Sequence, residues 1–132
     1  SLVDLKIATS FGGGQLAAAV LLAALTDSGY RRHMQAVRAR LQGAMEHTIA
    51  RLGALGITPW VLPQAGMFVW CRLPEGLDAA QVARASLRRG VVLAPGNAFS
   101  PAQGASGFLR FNVAQCGDAR VFDVLVRALD GA

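Results

Sequence analysis

Apolar residues recur at three- and four-residue steps along much of this chain, and this spacing places them on one face of an α-helix. The longest such stretch predicts an amphipathic helix over residues 30–55, with Gly56 in the position of a C-cap. Further helices are predicted over 78–90, with Asp78 as the N-cap, and over 118–129. The apolar face of the longest helix consists of Met34, Val37, Leu41, Met45, Ile49 and Leu52.

The first part of the chain has a different pattern. Residues 2–8 are expected to end an earlier helix, and residues 15–25 are small and apolar on all sides, which is typical of a buried helix. This apolar run is shorter than the ~18 residues that a membrane span requires. Three consecutive glycines, 12–14, separate the two helices and predict a hinge, since a phosphate-binding loop would need GxGxxG spacing after a strand.

Four short runs rich in β-forming residues alternate with these helices. Residues 56–63 and 65–74 predict a hairpin, and 91–95 and 107–114 predict two further strands. The order of elements indicates an α+β fold, a two-layer sandwich in which helices pack on a small, mainly antiparallel sheet. A long helix precedes the sheet.

Arg110 lies in the middle of the last of these strands. Because side chains alternate along a strand, Arg110 shares a face with Phe108 and Asn112 and leaves the other face apolar. Two interpretations remain open at this point. The face is open to water, or it lines a cavity in which the guanidinium meets an anion with bidentate geometry.

Composition and charge narrow the function classes. Apolar residues make up 53% of the chain and charged residues 16%, against about 25% charged residues in a typical soluble domain, so part of the apolar surface is expected to have a partner elsewhere. The net charge of +5 comes from scattered arginines, which favours a solvated surface over a nucleic-acid interface. The densest arginine group is Arg31, Arg32, Arg38 and Arg40.

The residues that most often carry catalysis or bind metals are sparse. Cys71 and Cys116 lack the spacing of a disulfide scaffold or zinc site and are interpreted as small buried hydrophobes. His33 and His47 are fourteen helical residues apart, about 21 Å, so they cannot share one ion. We expect no metal site. Neither a catalytic triad motif nor a P-loop is present in the sequence, and no catalytic residue is assigned.

Four segments in order carry a family resemblance: SGYRRHMQAVRARL (28–41), PQAGMFVWCRLPEGLDA (63–79), GVVLAPGNAFS (90–100) and FLRFNVA (108–114). Together they resemble the C-terminal small domain of fold-type I pyridoxal-phosphate aminotransferases. They are most similar to the aminotransferase-like domain of MocR-type transcriptional regulators of the GntR family. The resemblance implies a small domain over 29–132, preceded by a helical segment, 1–28, from the large-domain side.

The resemblance also implies a ligand site. Arg110 matches the arginine that binds the substrate α-carboxylate, so an amino acid or another amino or carboxylate compound is the expected ligand. The pocket lining that it implies consists of Gly66, Met67, Ala94, Pro95, Gly96, Phe99 and Asn112.

The same resemblance places the cofactor-binding lysine before this chain, and Lys6, the one lysine present, is not its match. The chain is therefore expected to be a fragment without activity and without bound pyridoxal phosphate, which the full-length protein would bind. That protein is expected to be a cytoplasmic homodimer that contacts DNA only through a separate N-terminal domain. It is not expected to bind a membrane. Whether it is an enzyme stays open, because an aminotransferase of the 2-aminoadipate type is the alternative. A free-standing binding module is a third reading, disfavoured by the apolar excess.

Overall fold

The computed structural model describes residues 1–9 and 14–131, and its helices and strands follow the predicted order. Of the three glycines of the predicted hinge, Gly12 and Gly13 lie outside the described residues, so the hinge stays a prediction. Two 3₁₀ turns, Gly96–Phe99 and Val113–Gln115, flank the last strand. The helices are α1 (Leu2–Thr9), α2 (Gln15–Thr26), α3 (Ser28–Gly53), α4 (Ala79–Leu87) and α5 (Ala119–Leu129), and the strands are β1 (Thr58–Pro59), β2 (Phe68–Arg72), β3 (Ala94–Pro95) and β4 (Phe108–Asn112).

The chain forms two compact units, Ser1–Arg38 and Ala39–Ala132, divided within α3. The boundary between 28 and 29 that the family resemblance implies stays a prediction. In the first unit α2 is a helix, as predicted, but none of its residues is buried. Leu16 and Leu22 are 79% and 65% exposed. The described residues therefore do not provide the predicted burial of this apolar helix. None of the described helices has the length and apolar character needed to cross a membrane.

The second unit contains an antiparallel sheet with the strand order β1-β2-β4-β3. The pairing of the predicted hairpin is confirmed, because Thr58 pairs with Arg72 and Pro59 with Cys71, but its first strand is limited to Thr58–Pro59 of the predicted 56–63. The predicted strand 91–95 is longer than the observed β3. The backbone N–H of Val91 donates instead to the carbonyl of Ser86 at 3.1 Å, so the chain is still completing the end of α4 at that position. Val92, which this prediction would bury, is 82% exposed.

One face of the sheet packs against helices and forms the core. Val69 and Cys71 of β2 and Leu109 and Phe111 of β4 are buried on this face. The core cluster also includes residues of α3, α4 and α5, so all three helices cover the same side. The α+β fold class with helices on a small antiparallel sheet is confirmed.

Both α4 and α5 begin at a capping aspartate, of which only Asp78 was predicted as a cap. The carboxylate of Asp78 accepts the backbone N–H of Gln81 at 2.9 Å, which caps α4 as predicted. Asp118 does the same for α5 by accepting the N–H of Arg120 at 2.9 Å. These caps fix the N-termini of the two helices, which pack on the sheet.

Candidate functional site

The face of the sheet opposite the core carries the candidate site. We call it the open face, and its strand residues are Phe68, Trp70 and Arg72 of β2 and Phe108, Arg110 and Asn112 of β4. Each is half-buried or exposed, whereas the residues that alternate with them are buried. The alternation predicted for β4 is thus observed.

Arg110 lies near the centre of the open face. Its neighbours across the sheet are Trp70 on β2 and Ala94 on β3. Its guanidinium carbon Cζ lies over the rings of Phe68 and Phe99, at 4.4 Å and 4.0 Å from their centroids. Both distances are within the range of cation–π contacts.

Within the described part of the chain, the Arg110 guanidinium has aromatic neighbours and no ion-pair partner. Among the described residues, ion pairing is confined to the Ser1 amino group and Asp4, so none of the described carboxylates neutralises Arg110. A guanidinium has five N–H donors in its plane and remains charged at all physiological pH values. Arg110 therefore offers an in-plane edge of donors to an anion from outside the described part of the chain.

The loop that carries Phe99 is held by a close backbone approach. A Cβ atom at Gly96 would collide with the carbonyl oxygen of Ala105 and would lie 3.0 Å from the Cβ of Phe108. The side-chain Oδ1 of Asn97 accepts the N–H of Ala105 at 2.9 Å. These contacts fix the 3₁₀ turn against β4, and the turn brings the Phe99 ring over Arg110.

A second arginine occupies the other end of the open face. The Cζ of Arg72 lies 5.4 Å from the ring centroid of Trp60 and 5.6 Å from that of Phe108. The Phe108 ring also stacks on Trp70 at 5.6 Å with an interplanar angle of 17°. Arg72 is exposed and lies farther from its rings than Arg110 does, so it provides an internal comparison for the Arg110 site.

An open depression of about 180 Å³ adjoins Arg110. Of the predicted pocket residues, Asn112 lines it, Phe99 contacts the guanidinium and Ala94 is the cross-strand neighbour of Arg110. Asn112 Oδ1 accepts the N–H of Ala114 at 3.1 Å. The other walls are Phe68, Val91, Val92, Leu93, Phe111, Gln115, Cys116 and Val121.

The remaining predicted pocket residues lie elsewhere. Gly66, Met67, Pro95 and Gly96 do not line this depression. Gly66 is a turn residue with φ +99°, and the carbonyl of Met67 accepts the N–H of Val113 at 2.9 Å, which extends the pairing of β2 with β4. Their assignment to a ligand pocket stays a prediction.

Three residues with clear roles around Arg110 are not among the predicted ones. Phe68 alternates with Val69, and that alternation is the signal that could have placed it on the open face. Asn97 and Gln115 carry no such local signal, because the partner of Asn97 is eight residues away and Gln115 reaches the depression through the turn after β4.

The two cysteines are buried and free, as predicted. Burial raises the pKa of the Cys71 thiol from 9.0 to about 12, and the neighbouring Cys116 adds to that rise. Burial also raises the pKa of Cys116, against which a hydrogen bond to Thr48 acts. Neither thiol is ionised near pH 7. Within residues 1–9 and 14–131, no group of three or more metal-ligating side chains is found.

Pyridoxal phosphate requires more than this face provides. A phosphate group needs several converging donors, such as a helix N-terminus or a glycine-rich loop, and the cofactor aldehyde needs a lysine. The donor set around Arg110 is one guanidinium with amide side chains nearby, and the residues that line the depression include no lysine. The residues around Arg110 fit a carboxylate and do not by themselves fit the cofactor.

This chain resembles known proteins over nearly its whole length. The family model for aminotransferase class I and II matches residues 5–129. The chain is 26% identical over 120 residues to the uncharacterized HTH-type transcriptional regulator YisV of Bacillus subtilis (strain 168), which covers 89% of this chain and 25% of the regulator. It is 40% identical over 52 residues to the 2-aminoadipate transaminase of Thermus thermophilus, which covers 39% of this chain and 13% of the transaminase.

Among solved structures, an alpha-aminoadipate aminotransferase of Thermus thermophilus, in complex with N-(5'-phosphopyridoxyl)-L-leucine, superposes with a TM-score of 0.79 at 28% identity. The match covers 98% of this chain and 34% of that chain. The chain thus spans about a third, or less, of the length of its relatives.

Proposed function

Since this chain belongs to the aminotransferase class I and II family, we propose that it is the ligand-binding, aminotransferase-like domain of a MocR-type transcriptional regulator of the GntR family. Its relatives include both HTH-type regulators and aminotransferases. The match to a regulator extends over 89% of this chain, whereas the match to the transaminase covers 39%. That difference in extent supports the regulator.

Arg110 is the observation that carries the ligand assignment. Its guanidinium stands on the open face, beside a depression, and is paired with none of the described carboxylates. A carboxylate held by two parallel N–H···O bonds is fixed in orientation as well as in position. The proposed role of Arg110 is to bind the α-carboxylate of an amino acid, so that the amino group is presented in one geometry.

The other parts of the full-length protein complete this proposal. Pyridoxal phosphate would supply the electrophilic aldehyde and would be held by residues outside this chain. A separate N-terminal domain would bind DNA, and the full-length protein would act as a homodimer in the cytoplasm. We propose that this chain contributes the carboxylate anchor and has no catalytic activity of its own.

The second candidate is an amino-acid aminotransferase of the 2-aminoadipate type. The superposition on the alpha-aminoadipate aminotransferase over 98% of this chain favours it. In this reading Arg110 keeps its role, because an enzyme and a sensor bind the same carboxylate. The two candidates differ in what the full-length protein does after the ligand has bound.

One set of measurements on the full-length protein tests both the site and the function. Calorimetric titration with the twenty L-amino acids identifies the tightest ligand, and Arg110→Ala is expected to weaken it by about 1.5–3 kcal/mol, the range for charge-assisted hydrogen bonds. Arg72→Ala, on the same face, is the matched control and should leave affinity unchanged. Equal affinity of Arg110→Ala and the parent would remove Arg110 from the site.

Turnover and DNA binding separate the two candidates. A regulator is expected to bind DNA in a manner that the amino acid changes, with little release of 2-oxo acid. Sustained 2-oxo acid formation without DNA binding would establish the aminotransferase instead.

A further inference from the structure

The Arg110 guanidinium is contacted by two rings that come from elements on different sides of β4. Phe68 belongs to β2, and Phe99 belongs to the turn that follows β3. In the strand order β1-β2-β4-β3, these elements flank β4. The two rings are therefore 31 positions apart in sequence and are brought to one side chain by the sheet.

The two contacts leave a defined part of the guanidinium available. The Cζ atom lies over both rings, 4.4 Å and 4.0 Å from the centroids of Phe68 and Phe99, so a ring occupies the space on each of these two sides of the guanidinium. The N–H bonds lie in the guanidinium plane and point away from the faces. A ligand is thus directed to the N–H groups that the two rings leave uncovered, where one carboxylate accepts two parallel hydrogen bonds.

We propose that Phe68 and Phe99 are positioning residues that hold the Arg110 guanidinium so that it selects a planar carboxylate approaching in its plane. This inference rests on the proposed function of Arg110 and adds the means by which its orientation is set. An unrestrained arginine side chain loses rotamer freedom when it binds a ligand. Because the two ring contacts exist before binding, less rotamer freedom is lost when the ligand binds. The contacts also favour a carboxylate, which has two acceptor oxygens, over a neutral amide.

Both rings can be removed without opening the core. Phe68 is 45% and Phe99 44% exposed, and neither belongs to the buried cluster. Leucine keeps an apolar side chain at these positions but lacks a ring, whereas tyrosine keeps the ring. Trp60 is an aromatic residue of the same region that contacts Arg72 and Phe108, so Trp60→Leu serves as the matched control.

The test measures selectivity on the full-length protein. The probe is the L-amino acid that binds the parent most tightly among the twenty, titrated beside its own α-carboxamide, and the readout is the ratio of the two dissociation constants. Each of Phe68→Leu and Phe99→Leu is expected to lower the preference for the acid by about two- to fivefold, the effect of one cation–π contact at a partly exposed site. Phe99→Tyr and Trp60→Leu are expected to keep the parent's ratio.

A second readout needs no amino acid ligand. Phenylglyoxal modifies accessible guanidinium groups, and the modified peptide is quantified by mass spectrometry. Arg110 is expected to react several times faster in the Phe68→Leu, Phe99→Leu double variant than in the parent, while the rate at Arg72 stays the same.

The outcomes distinguish the positioning role of Phe68 and Phe99 from the carboxylate-binding role of Arg110. If Arg110→Ala abolishes the preference for the acid but the leucine variants keep the parent's ratio, the positioning role is wrong and the carboxylate site stands. If Arg110→Ala itself leaves the ratio unchanged, or if none of the twenty amino acids binds, the proposed function fails and the positioning role falls with it.

Discussion

Replacement of Gly96 by alanine is the sharpest structural perturbation of the site. The added Cβ would overlap sterically with the carbonyl oxygen of Ala105. It would also lie 3.0 Å from the Cβ atoms of Ala105 and Phe108. The first of these partners is backbone, so rotation of a side chain cannot relieve the collision. The 3₁₀ turn must move away from β4, and Phe99 moves with it.

The cost follows from the number and kind of these contacts. Overpacking of a well-packed site costs typically about 1–3 kcal/mol, and three tight contacts that include backbone place Gly96→Ala at about 2–3 kcal/mol. Gly104→Ala is the matched control in the same loop, since a Cβ there meets nothing within 4 Å. It removes unfolded-state entropy and is expected to change stability by less than about 1 kcal/mol.

Urea unfolding followed by circular dichroism gives both values as free energies of unfolding. Gly96→Ala should lower the midpoint with little change in slope, and the phenylglyoxal reaction of Arg110 should become faster in the folded protein. If Gly96→Ala and Gly104→Ala unfold at the same urea concentration, the close approach of the turn to β4 is not a feature of the protein in solution.

Two further predictions concern the core. Ser86 is fully buried and its Oγ has no partner among the described residues, so Ser86→Ala is expected to raise the free energy of unfolding by about 1 kcal/mol. The control, Ser100→Ala, removes the acceptor of the Gly104 N–H and should lower the free energy of unfolding. A lower melting temperature for Ser86→Ala than for Ser100→Ala would contradict the prediction. Because burial raises the pKa of Cys71 from 9.0 to about 12, the unfolded chain loses this proton first, and stability should fall from about pH 9 towards pH 12 by up to about 1.4 kcal/mol per pH unit. The slope should be shallower in Cys71→Ala, and identical slopes in the two proteins would show that the thiol does not contribute.

Much of the fold follows from local periodicity. The three helices around the core begin at or within two residues of their predicted starts, because repeats at three and four residues and the caps at Asp78 and Asp118 are properties of neighbours in sequence. One of the strands that is shorter than predicted is informative. Residues 91–93 have strand-like composition, yet Val91 bonds back to α4, because a backbone N–H can serve only one of two competing partners well.

The candidate site was only partly accessible to sequence reasoning. Alternation along β4 predicted that Arg110 faces away from the core, and the family resemblance supplied its expected ligand. The contacts of Phe68 and Phe99 with its guanidinium were not predicted, and neither was the close approach of Gly96 to Ala105 and Phe108. These contacts join residues that no local pattern links.

The sequence by itself determined which residues form helices, which strand face is apolar, and that Arg110 lies on the opposite face. Each of these depends on a repeat of 2.0 or 3.6 residues along one segment. The tertiary structure decided what surrounds Arg110, because the strand order β1-β2-β4-β3 brings β2 to one side of β4 and the turn after β3 to the other. Side chains distant in sequence then lie within 4.4 Å of one guanidinium. Such contacts arise only when the whole sheet is assembled.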